Sequence, residues 1–307
     1  MQIYLPIAEL SLSGVLLLGV GLAIGFLSGM FGIGGGFIMT PLLIFLGVPP
    51  GIAVGTGASQ VMASSISSAF GHWQRGNIDL QMGYLLIAGG VFGAITGVKI
   101  LHLLKQAGQL DFFVSLAYVI LLGVIGGLML IESLRVLRAA PTRTGGSARR
   151  GGQHTWIQGL PLKRRFPDSK LYISAIPPVA IGAFVGWLTA IMGVGGGFVM
   201  VPAMIYLLRM PTRMVIGTSA FQIVVVTAVT TVLQSVQNHS VDVALALPLI
   251  LGGVVGAQYG VGFAERLKAE QLRAGLALLV LAVAVRMALG LVVPPSDMYA
   301  IEAPGVE

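Results

Sequence analysis

The chain has 307 residues, of which 56% are hydrophobic and only 9% are charged, and its mean hydropathy is +0.93. Soluble domains carry roughly 25% charged residues, so this composition excludes a soluble protein, and the long apolar runs predict membrane-spanning helices instead of a β-barrel. The net charge of +7 comes from Lys and Arg that fall mostly in loops, so no nucleic-acid partner is expected, and the lack of Cys excludes disulfides and thiolate chemistry.

The first half of the chain contains five apolar segments, at about residues 10–31, 36–47, 52–71, 81–104 and 111–134. The second segment has about 12 residues, which at about 1.5 Å per residue cover roughly half of a hydrocarbon core, so it cannot span the membrane alone. We predict that it forms a hairpin with the segment before it, which enters the membrane, breaks at three consecutive glycines and returns to the same side. These glycines are Gly34, Gly35 and Gly36.

A basic stretch rich in Gly, Pro and Ser separates the two halves of the chain. The positive-inside rule places this loop in the cytoplasm, where it is either a solvated linker or a site for anionic lipids. The predicted divisions of the chain follow from its position. They are a first transmembrane half at 1–134, the linker at 135–170, a second transmembrane half at 171–293 and a tail at 294–307.

The second half repeats the first, with apolar segments at about residues 173–193, 197–208, 213–236, 243–265 and 269–293. Residues 25–41 read GFLSGMFGIGGGFIMTP and residues 186–202 read GWLTAIMGVGGGFVMVP, which share nine identical positions. Each half has a hairpin and three full crossings, and an odd number of crossings inverts the second half relative to the first. The predicted fold is therefore an all-α integral membrane protein with two homologous inverted repeats, each a Gly-broken helical hairpin plus three transmembrane helices.

The glycine runs predict a break in the helix, because each Gly costs about 1 kcal/mol relative to Ala inside a helix. Broken backbone at membrane depth is stable only inside protein or beside a wet cavity, and the helix after the break presents unpaired N–H groups and the positive end of its dipole. This arrangement predicts an anion site; the alternative is close helix packing through small residues. The predicted site residues at the breaks are Gly34, Gly35, Gly36, Phe37, Gly195, Gly196, Gly197 and Phe198.

The segment after each hairpin carries a Thr and a Gln four residues apart, which places both side chains on one helix face. These pairs are Thr56 with Gln60 and Thr218 with Gln222. Neutral donors beside a helix N-terminus can bind oxyanion oxygens without preventing their release, so we predict that these four residues also contact the substrate. The alternative is that they form hydrogen bonds between helices.

Ionisable residues are scarce inside the apolar segments, and no Asp or Glu lies in the middle of one, which argues against a cation pathway. Arg286 lies inside the last segment, where it either attracts substrate or extends toward the interface. His72 and His239 are interpreted as interfacial residues, with proton coupling as the alternative role. The sequence has neither a buried nucleophile and base nor a His-Glu-x-x-His motif, so we predict no enzyme activity, no catalytic or metal-binding residues and no cofactor.

The doubled Gly-x-Gly-Gly-Gly-Phe motif with a nearby Pro, followed by Gly-Thr and by the Gly76-Asn77-Ile78-Asp79 loop, resembles the TauE/SafE sulfite exporter family, also called the toluene-sulfonate uptake permeases. The resemblance covers nearly the whole chain except the central loop and the tail. It implies a multi-pass protein of the bacterial inner membrane that moves sulfite, sulfonates or related sulfur anions, usually outward.

The function expected from these features is secondary transport of sulfite or a small organosulfonate, held near the midplane between the two hairpin tips. Its partners would be the anion and the lipid bilayer, and no oligomeric state is predicted. Export needs no coupling ion, because an anion leaves a negative interior downhill. The alternatives are an anion channel, a carrier for another organic anion and a scaffolding subunit.

Overall fold

The computed structural model describes residues 2–31, 35–138, 161–166, 169, 171–264, 278 and 280–289. Within these ranges the chain is mostly helical, as predicted, with two short β-hairpins. The first half comprises β1 (Gln2–Leu5), β2 (Leu10–Ser13), α1 (Gly14–Phe31), α2 (Gly36–Phe45), α3 (Pro50–Gln74), α4 (Leu80–Gln106) and α5 (Leu110–Arg138). The second half comprises β3 (Lys163–Phe166), β4 (Leu171–Ser174), α6 (Ile176–Met192), α7 (Gly197–Tyr206), α8 (Thr212–Leu233), a π-helical turn (Gln234–Asn238), α9 (Val243–Ala264) and α10 (Val280–Leu289).

Three helical stretches of the described chain are long and apolar enough to cross a membrane, namely Leu80–Gln106, Met214–Asn238 and Val243–Gly260. Shorter apolar helices accompany them, including α2 and α7, which have 10 residues each. At about 1.5 Å per residue these two helices extend about 15 Å, half of the hydrocarbon thickness. They therefore penetrate a bilayer only part of the way.

A β-hairpin precedes the first helix of each half, a feature that the apolar pattern did not predict. Strands β1 and β2 pair antiparallel, with Gln2 opposite Ser13, and β3 and β4 pair antiparallel, with Lys163 opposite Ser174. Strand β3 lies in the last part of the predicted basic linker. Its Phe166 is fully buried in a hydrophobic cluster with residues of α4, α6 and α7, so this end of the linker is folded onto the helices.

The main helix contacts join the two halves: α1 packs along α9, α4 packs along α6, and α3 packs along α8. Glycines make the first two contacts close. A Cβ placed on Gly25 would lie 2.1 Å from the carbonyl oxygen of Gly253, and a Cβ on Gly186 would lie 2.0 Å from that of Gly90. Close packing through small residues, the alternative considered for the glycine runs, is thus the role of these four glycines.

Gly25→Ala is expected to destabilise the α1–α9 contact by about 1–3 kcal/mol, because the added methyl overlaps backbone that cannot rotate away. The apparent Tm in detergent should fall by about 2–4 °C for each kcal/mol. Gly19→Ala is the matched control on the same helix, since a Cβ there meets no described atom within 4 Å. Equal Tm values for the two variants would contradict the close contact.

The helices break at the glycine runs, as the sequence predicts. Helix α6 ends at Met192 and α7 begins at Gly197, and between them Gly193, Gly195 and Gly196 have φ angles of +66°, +73° and +69°. These left-handed conformations favour glycine strongly. In the first half the described part of α1 extends to Phe31, Gly35 is not helical and α2 begins at Gly36, while Gly34 lies outside the described residues.

The π-helical turn explains why the correspondence between the halves shifts by one residue. Gly55 and Gly217 lie 162 residues apart, whereas Ile78 and Val241 lie 163 residues apart. The turn at Gln234–Asn238 falls between these two points of the second half. A single π turn accommodates one extra residue within a helix, so α8 absorbs the insertion without changing the helix that follows.

Candidate substrate site

The two helix breaks meet in the interior of the protein. The rings of Phe37 and Phe198, the second residues of α2 and α7, lie with their centroids 5.6 Å apart and are 2% and 7% exposed. A Cβ on Gly36 would lie 2.7 Å from the carbonyl oxygen of Val194 in the other break. The structure therefore brings together the described site residues that the sequence predicted at the breaks.

Both short helices begin at this meeting point, so their first-turn N–H groups and positive dipole ends lie close to each other. The N–H of Gly35 donates to the hydroxyl of Ser28 at 2.8 Å. In the other half, Thr189 stands at the position that corresponds to Ser28, and its hydroxyl oxygen would lie 3.0 Å from a Cβ on Gly196. The hydrogen bonds to the N-cap carbonyls of Gly35 and Gly196 begin at Ile38 and Val199, so the N–H groups of the first two residues of each helix precede them. Such free first-turn N–H groups are what helix N-termini use to bind anions.

Gln60 and Gln222 are buried, with 1% and 0% of their surfaces exposed. The side-chain nitrogen and oxygen of both residues have no hydrogen-bond partner among the described residues. The residues that follow them in the chain lie against the breaks. A Cβ placed on Gly36 or Gly195 would contact the side chain of Val61, and a Cβ on Gly195 would also contact that of Ile223. Each amide thus lies one residue from a side chain that touches the glycine runs.

The two amides occupy corresponding places in the halves. A Cβ on Gly253 of α9 would lie 2.5 Å from Nε2 of Gln60, and a Cβ on Gly90 of α4 would lie 2.9 Å from Nε2 of Gln222. These are the same glycines that α1 and α6 contact closely. Because each glycine has no side chain, the glutamine amide occupies the space beside it at the helix crossing.

Thr56 and Thr218 have a different role from the neighbouring glutamines. The hydroxyl of Thr56 accepts a hydrogen bond from the backbone N–H of Asp242 at 3.1 Å, and that of Thr218 accepts one from the N–H of Asp79 at 3.0 Å. Both are hydrogen bonds between the halves, which is the alternative that we considered for these residues. A substrate contact by either Thr remains a prediction, because a hydroxyl that accepts one hydrogen bond has a proton with which it can donate another.

A cavity of about 410 Å³ opens at the N-terminal end of α3. One wall is apolar, and the polar wall includes Lys105, Gln234 and Asn238. The ammonium of Lys105 donates to the backbone carbonyl of Asn238 at 2.5 Å. Ile52 also lines the cavity and lies eight residues before Gln60, a distance of about 12 Å along the helix.

Comparison with known proteins identifies the family. A family model described as "Sulfite exporter TauE/SafE" matches residues 17–287. The chain belongs to this family. Probable membrane transporter proteins of Xylella fastidiosa (strain 9a5c) and Bacillus subtilis (strain 168, YjnA) are both 30% identical to it, over 88% and 85% of this chain and 93% and 94% of their own lengths.

A further relative is similar to the chain over a shorter stretch. The probable membrane transporter protein MJ0441 of Methanocaldococcus jannaschii is 28% identical over 61% of this chain and 60% of its own length. No solved structure matches the chain. The protein is therefore a multi-pass membrane transporter of the TauE/SafE family, and its fold supplies the geometry described above.

Two buried carboxylates of this TauE/SafE protein, Asp79 and Asp242, are not among the site residues predicted from the sequence. Asp79 accepts from the N–H of Met82 at 3.0 Å and from the hydroxyl of Ser169 at 2.5 Å, and Asp242 accepts from the N–H of Ile7 at 3.0 Å. Each carboxylate therefore binds the β-hairpin of the other half. The repeated Ile/Val-Asp pair before α4 and α9 was the signal that could have identified them.

Three other residues that the sequence singled out, Arg286, His239 and His72, lie apart from the side-chain amides of Gln60 and Gln222. The guanidinium of Arg286 is exposed and lies 5.3 Å from the ring centroid of Phe45, a cation–π contact. His239 lines the rim of the cavity, and His72 lies in the last turn of α3. In the described part of this TauE/SafE chain, no group of three or more His, Cys, Asp or Glu side chains is placed to bind a metal ion.

Proposed function

We propose that the protein carries a small sulfur oxyanion, sulfite or a short organosulfonate, across the bacterial inner membrane. The observation that carries this proposal is the pair of buried amides, Gln60 and Gln222, which lack hydrogen-bond partners among the described residues in both halves. An unsatisfied buried polar group costs about 1–3 kcal/mol, so its occurrence at two corresponding positions indicates a ligand contact. The first-turn amides of α2 and α7 would complete the anion site between the breaks.

We further propose that the two halves are inverted repeats. The exchange of contacts supports this, because α1 packs on α9 as α6 packs on α4. The β1–β2 hairpin binds Asp242 as the β3–β4 hairpin binds Asp79. Inverted repeats provide alternating access when one half rocks against the other around a central site. The central basic loop then lies in the cytoplasm, and the cavity beside Lys105 opens to the opposite side.

Export is the direction that the electrostatics favour. An anion that leaves a negative interior gains about 2.3 kcal/mol per charge for each 100 mV of membrane potential. Gln60 and Gln222 are neutral donors, which bind an anion less tightly than Arg or Lys would and so allow its release. A co-transported cation is not required for this direction.

Flux into proteoliposomes tests the proposal. We expect saturable, potential-dependent transport of sulfite at fixed membrane potential, with smaller rates for sulfate and chloride. A rate that rises linearly with concentration would favour an anion channel, and no flux above that of protein-free liposomes for any sulfur anion would overturn the sulfur-oxyanion assignment. Preference for a carboxylate in the same assay would favour a carrier for another organic anion.

A further inference from the structure

The chemistry of the two amides constrains the protonation state of their ligand. A primary amide is both a donor, through its nitrogen, and an acceptor, through its oxygen. In Gln60 and Gln222 both atoms are buried, and neither has a partner within the part of the chain that the structure describes. A ligand that satisfies such an amide must therefore accept one hydrogen bond and donate another.

A fully deprotonated oxyanion meets only half of this requirement. Its oxygens accept from Nε2, but they have no proton to donate to Oε1, whose partial negative charge would repel them. A singly protonated oxyanion has one O–H, so it satisfies both atoms of one amide and the nitrogen of the other. This argument holds whichever way each amide group is oriented, because both of its atoms lack partners.

The charge of the ligand leads to the same conclusion. The cost of moving an ion out of water rises with the square of its charge, so a dianion needs far more compensation than a monoanion. The atoms known to lie against the amides are apolar or backbone groups of Gly253, Gly90 and Val226. Lys99 of α4 and Arg286 of α10 are exposed.

We propose, on the basis of the proposed function, that the transported species is a protonated monoanion, hydrogen sulfite, and not the sulfite dianion. Its O–H donates to an amide oxygen and its other oxygens accept from an amide nitrogen. The proton travels with the substrate, so one net negative charge crosses the membrane per sulfite. No proton relay through the protein is needed.

Other titratable groups could produce a pH dependence and must be distinguished from the substrate. Asp79 and Asp242 lie about one helical turn from Gln222 and Gln60, bonded to the threonines that precede these glutamines. The remaining titratable side chains on the described helices packed against α3 and α8, or on α3 itself, lie near helix ends, on exposed faces or at the second break. Those whose side chains the structure describes are His72, Tyr84, Lys99, His102, Lys105, Asp111, Tyr118, Tyr206 and Tyr259.

The test measures sulfite flux by the wild-type protein in proteoliposomes at several pH values around neutrality. This range contains the pKa at which hydrogen sulfite loses its proton to become the sulfite dianion. We expect the apparent KM for total sulfite to rise about tenfold for each pH unit above that pKa, while the KM calculated for hydrogen sulfite stays constant. Methanesulfonate carries a permanent single charge and no O–H group. Its inhibition constant should not change with pH, and the reversal potential should report one charge per sulfite.

Each opposite result overturns the inference. A KM for total sulfite that does not change with pH, or two charges per sulfite, would identify the dianion as the transported species while leaving saturable sulfite transport intact. A methanesulfonate inhibition constant that changes in parallel would assign the pH dependence to His72, Asp79 or Asp242. Absence of saturable flux at every pH would instead refute the proposed function itself.

A substitution provides a second readout. Gln222→Met removes both amide atoms, so we expect affinity for hydrogen sulfite to fall about tenfold or more and affinity for methanesulfonate to fall less, because methanesulfonate uses only the donor. Gln74→Met is the matched control, since Gln74 is exposed at the end of α3. Gln60→Met is measured in the same way, because the single O–H donates to only one of the two amides. Equal losses for the two anions in both variants would overturn the assignment of a hydrogen-bond donor to the substrate.

Discussion

Replacement of Gln60 and Gln222 together by Met is expected to lower sulfite flux at subsaturating concentrations by at least about 100-fold. A hydrogen bond to a charged group contributes about 1.5–3 kcal/mol, and each 1.4 kcal/mol is about a factor of ten, so each amide accounts for about tenfold or more. Met has nearly the same length and fills the same space beside Gly253 and Gly90. The change therefore removes hydrogen-bonding groups and leaves the packing intact.

The stability of this double variant separates a binding role from a structural one. The amides of Gln60 and Gln222 have no partners among the described residues, so their removal should leave the Tm unchanged or raise it. Low flux with an unchanged or higher Tm is the expected result. Low flux with a lower Tm would favour hydrogen bonds between helices, and undiminished flux would remove the amides from the site. Gln74→Met, measured in parallel, should match the wild type in both properties.

The positions of the helix breaks could be predicted from the sequence because their cause is local. Three consecutive glycines disfavour a helix wherever they occur, and α7 begins at Gly197 as the pattern indicates. The two β-hairpins could not be predicted in this way. Each strand has only four residues, and β3 reads Lys-Arg-Arg-Phe, which in a basic loop resembles solvated linker. Pairing with β4 and burial of Phe166 fold it.

The site could be predicted only in part because helical spacing identifies a face and not the partner of each side chain. The spacing of four residues placed Thr56 and Gln60 on one face, and both are buried in the structure. The partner of Thr56 is the N–H of Asp242, which lies 186 residues away in the chain. Such a contact depends on how the halves pack, which no local pattern contains.

Glycine illustrates the same limit. Gly25 and Gly253 allow two helices to approach closely, whereas Gly195 and Gly196 supply left-handed backbone at a break. Both uses depend on the missing Cβ, and only the second was assigned from the sequence. A run of three glycines indicates a break, while single glycines at helical spacing acquire their role from the helix that packs against them.

Gly196→Ala is expected to abolish most of the flux and to destabilise the protein by about 2–5 kcal/mol. The left-handed φ of +69° costs a residue with a Cβ about 1–2 kcal/mol, and the overlap adds about 1–3 kcal/mol. The new Cβ would lie 2.1 Å from Cγ1 of Val185 and 3.0 Å from Oγ1 of Thr189. Because Gly196 is the N-cap of α7, relief of this overlap must move the first-turn amides of the proposed anion site.

Two controls separate the contributions of backbone strain and overlap. Gly76 has a φ of +65°, and a Cβ there meets no described atom within 4 Å, so Gly76→Ala measures the strain alone. Gly35→Ala lacks a left-handed φ and meets Cγ2 of Ile24 at 2.8 Å, so it should cost less than Gly196→Ala. Flux and Tm measured for the three variants should therefore fall least for Gly76 and most for Gly196. The overlap in Gly196→Ala forces α7 to move. If this variant kept full flux, that movement would not affect the path of the anion, and the geometry of the second break would not matter for transport.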